Sequence, residues 1–374
     1  MAVLLVGFGF GLPYRVLRCA AAVGLRVFVL GGGEARKLSR SRFCRGYIEL
    51  ERLPGISVED FVTQVNQWAA RLEVEMVLPA DHETFRVLSM VRQRIHRPVF
   101  PLPDAEQFNI LNDKYAFSHH CQAVGVAHPR TALFADPALL RDSCAKGDLP
   151  LPFVVKPANL SGGEGVEKIA HIGDLDKLHD LSYRPILAQQ FIAGEDRCAT
   201  LFTRQGKVIV GQCYRRHKDR VIFDIDDRLI ELCGRLTAPL GVDGVINFDA
   251  RIESGSGDIY IIECNPRFFF SMDYAAIAGV NFVALGLGHG GQPLPSPQSV
   301  SLAAPLHTLG RLGHPLSRPS SDDLRMLRHF LADPLPPLLY EEIPWRRKKW
   351  LGHIPAAAAA NFVGLTRYRR FAPP

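Results

Sequence analysis

Long apolar runs are missing from this chain of 374 residues: none reaches the roughly 18–20 residues that span a bilayer, which excludes an integral helical membrane protein. The opening Met1–Tyr14 has no basic segment ahead of its apolar one and no plain cleavage signal, so a secretory peptide is not expected. No two of the eight cysteines are spaced as CxxC. That argues against a zinc site or a disulfide framework and for a reducing compartment, so a cytoplasmic protein is expected. The pattern GxxxxGK[ST] is absent, which removes the P-loop ATPases. GxGxxG is incomplete: in GFGFGL the glycines stand at 7, 9 and 11, one place early for the dinucleotide fingerprint.

What the chain does have is apolar mass. Hydrophobic residues make up 47% and charged residues 22%, enough to bury a core and to exclude a disordered protein. Its length suggests two or three domains. The net charge of +6 belongs to one end. From Trp345 onward there are seven basic residues and no acids; setting those seven aside from 44 leaves 37 basic against 38 acidic in the remainder. A neutral body does not support a general nucleic-acid-binding surface.

Short apolar runs alternate with helical patterns up to about residue 105. Strands are predicted at 2–6, 26–30 and 74–79, and helices at 14–24 (closed by Gly24) and 58–72. This order predicts a parallel α/β sheet. The prolines at 98–103 mark a boundary. A helix is predicted near 114–124, capped by Asp104 or Asn112, then strands at 153–156, 186–192, 199–202 and 207–212. A helix near 227–240 and strands near 246–252 and 259–265 follow. Past 291 proline is frequent and periodicity fades; Ala356–Ala360 is the only low-complexity run.

The most informative segment is GVINFDARIESGSGDIYIIECNPRF, two strands around a turn near Ser256. Facing residues then have numbers that sum to 512, pairing Asp249 with Glu263 and Asn247 with Asn265 on one face. Ile246, Phe248, Ala250, Ile262 and Cys264 fall on the other face, toward the core. Directly opposed side chains have Cβ atoms about 4.5–5.5 Å apart, so two carboxylates there repel unless a cation or proton sits between them. Oxygen ligands on a strand pair suit magnesium; a solvated acidic hairpin face is the alternative. Asn265-Pro266-Arg267 adds a rigid amide and a cation, which suit a nucleoside triphosphate. A second group is Lys156, ending an apolar strand before Ser161-Gly162-Gly163-Glu164-Gly165, where glycines let backbone N–H groups approach phosphate oxygens. A third is QQFIAGED, Gln189–Asp196, an apolar strand running into a turn, with Glu195 placed to reach a ribose.

Taken together over roughly residues 2–290, these segments resemble the ATP-grasp superfamily: Asn112-Asp113-Lys114 with GVAHPRT, Lys156 with its glycine loop, FIAGE, Asp249 and ECNPR at 263–267. ECNPRFFFSMDYAAIAGVNF most resembles the carbamoyl-phosphate-synthase-like carboxylate–amine ligases. The fold this implies is a pre-ATP-grasp parallel α/β sheet domain at 1–105, followed by a two-lobed α+β ATP-grasp fold. Its small lobe would be 106–188 and its large lobe, with the metal site, 189–290. Residues 291–374 would be a proline-rich, basic extension.

The resemblance implies ATP and Mg2+ as cofactors. Lys114 and Lys156 would bind phosphates, with Gly162, Gly163 and Gly165 around them. Backbone groups of Gln190, Phe191 and Ile192 would meet the adenine and Glu195 the ribose. Asp249, Glu263 and Asn265 would hold magnesium, and Arg267 would steady an acyl phosphate. The chemistry implied joins a small-molecule carboxylate to an amine with release of ADP and phosphate. Thiol ligation, carboxylation and a non-catalytic ATP-binding module are the alternatives. A homodimer is common for that fold. The sequence departs from the pattern at Gln189-Gln190, where many relatives carry an acid followed by Lys, and at Phe268-Phe269-Phe270, where small residues are common.

Three features stand outside these roles. Asp81-His82-Glu83 follows the strand at 74–79, where α/β sheets collect ligands, and reads either as an amine-substrate site or as solvated acids. Tyr214–Lys218 reads as a source of a cation for substrate or as a basic turn. The tail, with Trp345-Arg346-Arg347-Lys348-Lys349-Trp350 and Arg367-Tyr368-Arg369-Arg370, suits the surface of an anionic membrane, an acidic face of its own body or of a dimer partner, or a substrate carried on an anionic polymer or lipid.

Overall fold

The computed structural model describes residues 1–52, 55–158, 165–180, 183–288, 299–312 and 318–340. The chain divides into two compact units. The first holds residues 1–102, 217–223 and those from 267 onward; the second holds 103–216 and 224–266. The basic tail from Trp345, and with it every reading of that tail, lies outside the described residues, as do Gly162 and Gly163.

The first unit opens with β1 (Ala2–Val6), α1 (Gly11–Ala22), β2 (Arg26–Gly31), β3 (Cys44–Glu49), α2 (Val58–Arg71), β4 (Met76–Pro79) and α3 (His82–Val91). Its strands run β3-β2-β1-β4, all parallel, as the alternating pattern predicts. All five residues of β1 are buried, the signature of a strand covered on both faces. Gly24 follows α1 at φ +79°, a conformation that costs glycine least. In α2, Ser57 accepts a hydrogen bond from the Asp60 N–H, and Phe61, Val65, Trp68 and Ala69 form the buried stripe.

The second unit begins with α4 (Ala105–Asn112) and α5 (Lys114–Ala123). Two helices replace the single predicted one: Asp104 caps α4 through a capping box with Gln107, and Asp113, not Asn112, caps α5. Next come β5 (Thr131–Phe134), α6 (Pro137–Ala145), β6 (Phe153–Pro157), β7 (Glu167–Ile169) and β8 (Ile186–Gln190), which form an antiparallel sheet in the order β5-β8-β6-β7. Phe153, Val155, Ile186 and Ala188 turn one face of that sheet into a core with Leu140 and Ile169. β9 (Gly194–Arg204) and β10 (Lys207–His217) follow; they are far longer than the apolar runs suggested. β11 (Arg220–Asp224), mostly in the first unit, precedes α7 (Asp227–Thr237), β12 (Gly244–Glu253) and β13 (Ile259–Asn265). Here the strand order is β13-β12-β9-β10, antiparallel throughout. Beneath this sheet Phe117, Leu201, Leu236, Ile246 and Phe248 pack with Cys121, Cys213, Cys233 and Cys264. All eight cysteines are free thiols, and these four serve as small hydrophobes.

The chain then completes the first unit with α8 (Met272–Ile277), α9 (Phe282–Gly286), β14 (Val300–Ala303), α10 (Pro305–Leu312), α11 (Ser321–Leu331) and α12 (Leu335–Tyr340). The proline-rich end is thus more regular than its composition suggested. β14 pairs antiparallel with β11, Ser320 opens α11 with a capping box, and Tyr14 Oη donates to the Asp333 carbonyl at 2.6 Å. Among the described residues no helix is long and apolar enough to cross a membrane.

Candidate functional site

The β12–β13 ladder has the expected register at its start: Asn247 faces Asn265, Phe248 faces Cys264 and Asp249 faces Glu263. Beyond Asp249 it slips by one, so that Ala250 faces Ile261 and Ile262 becomes the extra residue of a bulge. The expectation that Ile262 enters the core is corrected by this slip, since Ile261 takes that place, fully buried.

The polar face above the bulge is tightly partnered. Asn265 Nδ2 donates to Asp249 Oδ2 at 3.3 Å, and the Cys198 thiol donates to Asp249 Oδ1 at 3.1 Å. Thr200 Oγ1 and Tyr214 Oη donate to Asn247 Oδ1 at 2.9 and 3.2 Å. Lys114, the first residue of α5, is buried and brings Nζ to 3.7 Å from Glu263 Oε2. Burial alone would raise the Glu263 carboxyl; the Lys114 and Lys156 ammonium groups, with a hydrogen bond from Asn265, hold it below the usual range. Lys156 is buried on β6 and donates to Gln189 Oε1 at 2.8 Å. Burial pushes its ammonium down to about 8, opposed by Glu263 and Asp249 and aided by Lys114.

The second unit therefore brings Lys114, Lys156, Asp249, Glu263 and Asn265 into one electrostatic group. Two carboxylates and a carboxamide are hard oxygen donors, the kind that hard divalent cations take. Among the described residues no three His, Cys, Asp or Glu side chains cluster as metal ligands.

The remaining predicted residues lie as follows. Gly165 closes its loop at φ +71°, and its carbonyl accepts from Tyr183 Oη at 2.7 Å. Gln190 ends β8. Its N–H donates to the Arg130 carbonyl at 2.8 Å and the Phe191 N–H to the Pro152 carbonyl at 3.2 Å, so these two N–H groups are committed within the protein. The Phe191 ring carries Lys168 Nζ at 3.7 Å and the Arg251 guanidinium at 5.1 Å, and Ile192 is buried. Glu195, half-exposed on β9, accepts from Arg215 Nη1 at 2.6 Å, which ties the basic segment at 214–218 to that acid. Arg267 belongs to the first unit, where Nη1 donates to the Phe268 carbonyl at 3.1 Å.

Sequence reasoning missed a further set of buried and half-buried polar partners: Gln189 beside Lys156, His128 and Thr131 beside Gln189, and Cys198, Thr200 and Tyr214 behind the acidic face. Strand alternation puts Lys156 and Gln189 on one face of the β6–β8 pair and so held part of that signal.

In the first unit, the GFGFGL turn is held by its own protein. The Phe8 and Gly9 N–H groups donate to Asp81 Oδ2 at 2.6 and 2.9 Å, while Asp81 Oδ1 caps α3 through the Thr84 N–H. Of the two readings of Asp81-His82-Glu83, Asp81 follows neither, since its carboxylate is spent on this turn and cap, and Glu83 pairs with Arg52.

Residues 182–303 match the family model described as ATP-grasp in the biosynthetic pathway with Ter operon. Over 232 residues, 56% of this chain, the sequence is 25% identical to the carbamoyl phosphate synthase large chain of Deinococcus radiodurans, covering 21% of that protein. The same figures hold for the Deinococcus deserti protein. The chain thus spans about a fifth of the length of these curated relatives. Among solved structures, the ADP complex of an N5-carboxyaminoimidazole ribonucleotide synthetase aligns at TM-score 0.63 and 15% identity, covering 80% of this chain and 79% of that one. Biotin carboxylase from Campylobacter jejuni aligns at 0.61 and 16%, covering 79% and 72%. L-amino acid ligase from Bacillus licheniformis aligns at 0.58 and 19%, covering 78% and 74%.

Proposed function

From the ATP-grasp fold as premise, we propose that this chain is an ATP-dependent ligase that joins a small-molecule carboxylate to an amine, releasing ADP and phosphate. The observation that carries the reading is the grouping of Asp249, Glu263 and Asn265 with the Lys114 and Lys156 ammonium groups in one unit. The oxygen donors fit Mg2+, which when bound would neutralise phosphate charge. Lys156 and Lys114 would bind the phosphates, and Gly162, Gly163 and Gly165 are the glycines that the resemblance assigns to the same phosphates. Gln190–Ile192 would border the adenine, and Glu195 would reach the ribose. Arg267, two residues past Asn265, is the cation that the resemblance gives to the acyl phosphate.

In this reading the residues bind, orient and neutralise; no side-chain nucleophile is required. Burial lowers Lys156 to about 8, well below the ordinary lysine value but above neutral pH, so its ammonium can meet an anion. A buried ammonium does this with little reorganisation. A reducing cytoplasm is the compartment proposed.

The test is ADP release with pooled carboxylic acids and amines, followed by mass analysis of the product. ADP that depends on both substrates, with an amide product, supports the ligase. A thioester or a carboxylated product moves the chain to other chemistry of the same fold. Nucleotide binding without turnover makes it a non-catalytic module, and no nucleotide binding overturns the reading.

A further inference from the structure

The face of the β6–β8 pair that carries Lys156 also carries Gln189, set diagonally across the strands: Lys156 faces Leu187, and Val154 faces Gln189. Gln189 is only 1% exposed and Lys156 5%. A buried carboxamide must satisfy an oxygen and an NH2 group, and its surroundings decide which way it points.

Here the direction is determined by a closed chain of donors and acceptors. His128 Nδ1 lies 2.6 Å from the Ile261 carbonyl. A carbonyl only accepts, so Nδ1 carries the proton and Nε2 is a lone-pair acceptor. Burial keeps this ring neutral, lowering it to about 4. Thr131 Oγ1 donates to the Pro129 carbonyl at 2.8 Å, so its oxygen is also left to accept. The Gln189 Nε2 group lies 3.2 Å from His128 Nε2 and 3.1 Å from Thr131 Oγ1, and it donates to both. Oε1 must then point the other way, toward Lys156 Nζ at 2.8 Å. Flipping the amide would set NH2 against an ammonium and oxygen against two acceptors.

The partner given to Lys156 is thus strong in direction but neutral in charge. Among the described residues Lys156 forms no ion pair within 4.0 Å; the charged groups that act on it at longer range are Glu263, Lys114 and Asp249. A carboxylate in the place of Gln189 would hold the ammonium equally well. It would also tie up the charge in an internal ion pair, which an incoming anion would have to break.

We propose that Gln189 is the positioning residue of Lys156: its oriented amide aims the ammonium and leaves its charge available to an anionic ligand. The proposal rests on the reading above that Lys156 meets nucleotide phosphate. Gln189 acts through Lys156, so the two must be coupled.

The experiment is a double-mutant cycle on the full chain, read by titration calorimetry with MgADP and by KM and kcat for ATP once a turnover assay exists. Gln189→Glu keeps shape and acceptor but adds charge; Gln189→Met keeps length but removes the aim. Each is expected to weaken MgADP binding by about tenfold, within the range shown by coupled neighbours, and to raise KM more than it lowers kcat. In a Lys156→Met background both effects should vanish. Where Gln189→Met fails to fold, Gln189→Glu carries the test. Lys156→Met that weakens binding while the Gln189 effects persist undiminished overturns the proposal alone. Unchanged binding in both Gln189 variants does the same. Unchanged binding in Lys156→Met overturns the phosphate reading of Lys156 and the proposal with it.

Discussion

Replacing Asp81 by alanine is expected to destabilise the first unit by about 3 kcal/mol, a figure built from the separate contacts of one carboxylate. Oδ2 accepts from the Phe8 and Gly9 N–H groups at 2.6 and 2.9 Å, and Oδ1 accepts from the Thr84 N–H and Oγ1–H, each at 3.0 Å. Loss of an N-cap acid costs typically about 1 kcal/mol. Each loop N–H deprived of a charged acceptor adds about 1 kcal/mol, at the low end because the loop is partly exposed and water can replace part of the bond. Asp81→Asn keeps one acceptor oxygen and should lose only about 1 kcal/mol. The assay is urea unfolding followed by circular dichroism, with hydrogen exchange of the amides at 7–11 to locate the loss, because two units need not unfold in one step. A loss below about 1 kcal/mol for alanine, with unchanged protection of the loop, would refute the view that this turn is liganded by Asp81.

Other expectations follow from the second unit. Lys156→Ala should weaken ATP binding by about 1.5–3 kcal/mol, the worth of a charge-assisted hydrogen bond, and calorimetry showing unchanged affinity would remove Lys156 from the site. His128 is held neutral down to about pH 4, whereas unfolded it ionises near its ordinary 6.5. The unfolded chain therefore binds more protons between those values. Stability should be level above pH 6.5, fall by up to about 3 kcal/mol as pH drops toward 4, and level again below that as far as this residue is concerned. Denaturation midpoints across that range check it, and His128→Gln should flatten part of the slope.

Much of the site could be read before the structure because it depends on short spacings. Asp249, Glu263 and Asn265 follow from a six-residue turn and two-residue strand periodicity, and the register holds through that pair. The bulge at Ile262 could not be read, since the turn is unchanged whether or not one residue is inserted past it. Asp104 was legible as a cap but assigned to the wrong helix, and Asp113 was missed, because two helices meet there without an intervening loop. Prolines hid α11 although its capping box, Ser320 with Asp323, is plain once looked for. The Gln189 network was out of reach for a different reason. His128 and Gln189 are separated by 61 residues, and only the folded sheet makes them neighbours. The Asp81 clamp on the glycine turn, across 73 residues, is hidden in the same way.

Whether the acidic face of β12–β13 serves ATP-dependent ligation is decided by Glu263→Gln. The measurement is ADP release with an acid and amine pair that the wild-type chain turns over, alongside circular dichroism of both proteins. Glu263 faces Asp249 and lies beside Lys114, so the substitution removes one charge from this carboxylate pair while keeping its shape. An unchanged fold with abolished ADP release is expected; normal ADP release by a folded Glu263→Gln protein would refute a role for this face in the reaction.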